Sequence, residues 1–78
     1  MNITITQDQE LELSSRIKRW GQERTDYLLA DDTAQALMVE DMLHGAELVF
    51  SVLGLTELEL QARNARQAAL SSETKATK

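Results

Sequence analysis

Apolar residues are densest between Ala34 and Leu53 (AQALMVEDMLHGAELVFSVL), where they recur at helical steps around most of a helix circumference. At about 100° per residue, Leu48, Val52, Met38, Val49, Met42, Leu53, Ala46, Val39, Phe50 and Leu43 fan over roughly 220°. Glu40, Glu47, His44 and Ser51 share the narrow polar strip that remains. The helix of a small domain commonly shows an apolar stripe of about 100° or a little more. The wider arc predicts a central helix covered from more than one side.

The flanking patterns build outward from that helix. Met1–Ile5 alternates apolar and polar residues and is β-branched at its end, which predicts a short extended arm or edge strand in need of a pairing partner. Thr6 followed by Gln9 has the form of a capping box, and Asp8, Glu10 and Glu12 suit the positive end of a helix dipole. A first helix is expected to run to about Leu29, with Leu13, Ile17, Trp20, Tyr27 and Leu28 on one face and Leu11 and Leu29 off it. Gly21 in its interior costs about 1 kcal/mol relative to alanine and predicts close packing against a large neighbour.

Ala30–Thr33 is short enough to make the first two helices an antiparallel hairpin, with Asp32 or Thr33 capping the second. Folding about Asp31 and Asp32 sets Trp20 and Gly21 level with Met42 and Leu43. Gly54 is the expected left-handed stop, followed by Leu55 and by Thr56 with Glu59 as a second capping-box pattern. A third helix over about Glu57–Leu70 carries Leu58, Ala62, Ala65 and Ala69 on one face, with Ala65 expected level with Gly45. The reading is an all-α, three-helix domain over residues 1–70: a long antiparallel helical hairpin plus a shorter third helix, with an extended N-terminal arm. Residues 71–78 (SSETKATK) have nothing to bury and are expected to form a disordered tail.

Composition narrows the picture. Seventy-eight residues make one domain at most, close to the size at which a single core is barely sufficient. With no cysteine there is neither a disulfide nor a thiolate metal site, and the absence of proline favours long helices. No N-terminal segment joins basic residues to an apolar run, and the apolar runs fall short of the ~18 residues of a membrane span. The expectation is a soluble, cytoplasmic protein with no membrane partner. The net charge is −5, with seven acidic residues and no lysine or arginine between Asp31 and Glu59. Phosphate contacts need a basic face, so no direct nucleic-acid binding is expected.

Candidate chemistry is sparse. There is no glycine-rich phosphate loop and no nucleophile elbow, so the chain is not expected to be an enzyme and no cofactor is implied. His44, the sole histidine, shares a helix strip with Glu40 and Glu47, but that strip matches no metal motif; no metal site is expected. Arg16, Lys18 and Arg19 fit a solvated face interleaved with Glu12 and Glu23. Arg24 interrupts the apolar face of the first helix as Asp41 interrupts that of the second, which suggests an ion pair, buried or at an interface.

In size and helix punctuation the chain looks like the short accessory proteins of bacteria and their phages, a likeness carried by no motif. The function expected is a small acidic protein–protein interaction module, regulatory or accessory, that forms a homodimer or binds a host protein. Trp20, Leu37, Leu48 and Val52 are the partner-facing apolar candidates. Asp31, Asp32, Glu40, Glu47, Glu57 and Glu59 form the acidic face. With Asp41, those acids also allow an alternative, an inhibitor that imitates nucleic acid before a basic target protein.

Overall fold

A computed structural model describes residues 3–68. It is all-α: α1 spans Gln7–Leu29, α2 Thr33–Leu53 and α3 Thr56–Gln67, and each helix touches the other two. The third helix, expected to reach Leu70, ends at Gln67 with Ala68 extended, while residues 69–70, Ala69 among them, and the expected tail, 71–78, lie outside the described residues.

Local chemistry sets the boundaries. The Thr6 hydroxyl accepts from the Gln9 N–H at 3.1 Å while the Gln9 side chain accepts from the Thr6 N–H at 2.9 Å, so the capping box is complete. At the hairpin turn, Asp31 adopts φ 62°. The Asp31 N–H donates to the Leu28 carbonyl and the Asp32 N–H to the Tyr27 carbonyl, the pairing of a Schellman turn. Asp32 then caps α2 by accepting from the Gln35 N–H. Gly54, at φ 77°, repeats the same turn at the far end of α2, with the Leu55 N–H donating to Phe50. The second capping box does not form. Leu55 precedes α3 without a side-chain cap, and its carbonyl takes the Glu59 N–H while the Glu59 carboxylate is held by Arg63.

The core is small and shared by all three helices. Ile17, Val39, Leu43, Phe50, Leu58 and Ala62 are buried together, with Leu13, Trp20, Tyr27, Ala46 and Ala65 packed against them. Small residues let α1 and α3 approach. A methyl group placed on Gly21 would sit 3.3 Å from the Ala65 Cβ, so Gly21 is where the third helix closes on the first. The expected register of Ala65 with Gly45 is therefore replaced by Ala65 with Gly21. A methyl on Gly45 would meet nothing within 4 Å, because that part of α2 faces away from both neighbours. The N-terminal arm finds its partner inside the chain without forming a strand. The Ile3 N–H donates to the Leu53 carbonyl at 3.0 Å, and Ile5 packs on the core.

Of the two left-handed positions among the described residues, Asp31 and Gly54, only one is a glycine. Asp31→Gly should raise stability by about 0.5–1 kcal/mol and Gly54→Ala should lower it by about 1 kcal/mol, both read from urea unfolding. Opposite signs at these two turns are the expected result.

Candidate interaction surface

The roughly 220° apolar arc of α2 is divided by the fold. Its inner half, from Leu43 through Phe50 and Val39 to Ala46, turns into the core, where Leu43 is fully buried. Its outer half stays in solvent: Leu37, Met38, Met42, Leu48, Val49 and Val52 are all exposed, from 46% at Met42 to 66% at Val52. Two helices packed on one side cannot reach the far side of a third. The result is an apolar stripe along α2, broken by one charged residue, the exposed Asp41. Gly45 lies at the middle of the stripe.

Beside the stripe, between α1 and α2, runs an open groove of about 450 Å³. Leu13, Ile17, Trp20, Met42, Ala46, Val49 and Phe50 form its apolar walls, and Arg16 and Asp41 stand at its edge. Trp20, read as partner-facing, is half-buried against the core and lines this groove. Leu37, Leu48 and Val52 lie on the outer stripe. Met38, Met42, Val49 and Gly45 belong to the same surface, and their wheel positions already placed the apolar three among them on the arc.

The acidic strip is where the structure departs most from expectation. Glu47 is not solvated: it is 7% exposed and faces α3. Arg63 donates to its Oε2 at 2.8 Å, and Arg66 donates to its Oε1 from Nη2 at 2.8 Å and Nε at 3.1 Å. Arg63 also donates to Glu59 at 3.0 Å. These contacts hold the Glu47 carboxyl below the ordinary carboxylate range, first through the Arg63 hydrogen bond and then through that of Arg66, with burial opposing. The same pairing raises Arg63 above its ordinary value.

Arg24 is buried as its position implied, but its counter-ion is Glu40 and not Asp41. Its Nε donates to the Glu40 Oε2 at 2.7 Å, and its Nη1 donates to the Ala68 carbonyl at 2.6 Å. One residue along a helix is a turn of about 100°, enough to move Asp41 from the inner side of α2 to the outer. Of the expected acidic face, Asp31, Asp32 and Glu57 are exposed, whereas Glu40, Glu47 and Glu59 are engaged by arginines.

Arg16 pairs with Glu12 and Arg19 with Glu23 along the surface of α1, as their i, i+4 spacing implied. Among the described residues no three His, Asp or Glu side chains converge on a possible metal position, and His44 is exposed. None of the described helices is long and apolar enough to cross a membrane. Comparison with models of protein families, with curated proteins and with solved structures returns no match.

Two measurements check the inward charges. Arg24→Ala and Glu40→Ala should each cost about 2–3 kcal/mol, between the values for exposed and fully buried pairs, and the double variant should cost less than their sum. Asp41→Ala should stay within about 0.5 kcal/mol of the parent chain. Because the Glu47 pKa is lowered in the folded chain, its stabilisation is present at neutral pH. It is lost as pH falls from the ordinary carboxylate range, near about 4.3, through the lowered value. Glu47→Gln should therefore flatten the acid limb of stability against pH, measured by thermal unfolding between pH 7 and 3, while lowering stability at pH 7.

Proposed function

We propose that the chain is a protein–protein interaction module, regulatory or accessory in kind, whose binding surface is the outer face of α2. The observation that carries this reading is the stripe itself. Six apolar side chains, each about half exposed or more, line one face of a two-ended, well-capped helix. Contiguous exposed apolar patches of this kind mark interaction sites on soluble domains.

The magnitudes constrain the partner. Full burial of such a side chain contributes about 1.5–3 kcal/mol, so covering the exposed halves of six contributes on the order of 5–9 kcal/mol. Association costs an estimated 4–15 kcal/mol in lost freedom. The stripe alone is thus insufficient for tight binding, and a partner must bring comparable apolar surface of its own. The nucleic-acid-mimicking alternative draws little support, because three of its seven carboxylates are neutralised by arginines of the same chain.

Photo-crosslinking tests the reading. A photoreactive residue at Val52 should capture a protein in the cells that make this chain, at physiological salt and also at about 1 M, where exposed charge pairs are screened beyond about 3 Å. The same residue at Lys18, on the exposed side of α1, should not. Equal yields at the two positions, or none at either, would overturn the proposal.

A further inference from the structure

The outer face of α2 has a symmetry that the interaction reading alone does not require. Counted from Gly45, Met42 and Leu48 lie three residues away, Asp41 and Val49 four, and Met38 and Val52 seven. Apart from Asp41, apolar residues occupy matching places in both directions. A helix face with this pattern matches itself when one copy is turned end for end, as a two-fold interface demands. Met38 of one copy then comes level with Val52 of the other near the middle of the face, Met42 comes beside Val49 along one edge, and Leu48 comes beside Asp41 along the other.

Gly45 supplies the second observation. A glycine inside a helix is unfavourable relative to alanine, and Gly21 offsets this by making room for Ala65, whose Cβ would lie 3.3 Å from a methyl placed on Gly21. Gly45 has no such neighbour, since a methyl there would meet nothing within 4 Å. Within one chain it gains nothing from lacking a side chain. At the crossing point of two helices it would let their backbones approach.

We propose that the occupant of this face is a second copy of the chain, with the two α2 helices packed antiparallel and crossing at Gly45. The proposal rests on the reading of α2 as the binding surface and names what covers it. A second copy brings an equal apolar stripe, which the magnitudes above require of a partner. A two-fold axis perpendicular to the helices sets like edges together, so the Met42–Val49 edge of each copy meets the groove beside Trp20 of the other. The two Asp41 carboxylates lie eight residues apart along the paired helices, about 12 Å, beyond the screening length of about 8–10 Å at moderate ionic strength. The two Asp41 carboxylates, the charges carried on this face, are therefore not set in direct opposition.

Cysteine scanning of the full chain tests the arrangement, because the natural sequence contains no cysteine. Gly45→Cys places both thiols at the crossing, within the Cα separation of under about 7 Å that a disulfide needs. On oxidation it should yield a species of twice the 8.8 kDa chain mass. Val52→Cys should not link to itself, since its two copies stand about 21 Å apart along the axis, but it should link when mixed with Met38→Cys. In sedimentation equilibrium the natural chain should dimerise, and Gly45→Leu, which adds apolar surface where the backbones meet, should weaken the dimer by about 10- to 100-fold. Circular dichroism should show the helices of Gly45→Leu intact, since the position is open within one chain.

A natural chain that stays monomeric at several hundred micromolar, or Val52→Cys linking to itself as readily as Gly45→Cys, would overturn the proposal. So would tighter association of Gly45→Leu. If the dimer fails while the Val52 photoprobe still captures a different protein, the interaction reading stands and only the second copy falls. If the probe captures nothing, both fall.

Discussion

Three helices cannot enclose one of their own number. Neighbours on adjacent sides of α2 cover less than half of its circumference, and the remainder faces water whatever side chains it carries. Most of the structure follows from that limit. The core is small because only the inner sector of α2 contributes to it. The groove beside Trp20 stays open because no fourth element lies over it. The apolar residues that a larger domain would bury remain on the surface.

The polar contacts obey a complementary constraint. The inner sector of α2 is only partly apolar, because Glu40 and Glu47 fall on its edge and are carried toward α1 and α3. Each meets an arginine from the helix it faces, and no buried side-chain nitrogen or oxygen among the described residues lacks a partner. Breaking a buried pair costs more than the pair contributes when intact. Arg24, Arg63 and Arg66 therefore act as orienting contacts, which fix how α2 is rotated between its neighbours.

That rotation is the part of the structure least legible in the sequence. The ends of α1 and α2 could be read because Thr6, Gln9, Asp32 and Gly54 act on backbone atoms a few residues away. Trp20 could be placed beside Met42 because the hairpin turn is short. An arc of roughly 220°, by contrast, has no single centre, and either half could serve as core. The choice depends on Arg63 and Arg66, sixteen and nineteen residues beyond Glu47, and on Gly21 admitting Ala65. A wheel drawn for one helix cannot contain those partners. The same limit explains why Glu40, rather than its neighbour Asp41, answers Arg24.

The two ends of the described chain are fastened at separated points. Ile3 is tied to the last residue of α2, whereas Ala68 is held by Arg24 beside Glu40, nearer the hairpin turn. Thirteen residues of α2 separate those anchors, about 20 Å along the helix. Whatever is joined ahead of Ile3 and whatever follows Ala68 therefore depart from different levels of the bundle. A tension applied between them would be borne along the length of α2, shearing its contacts with the neighbouring helices instead of peeling one helix away from its end.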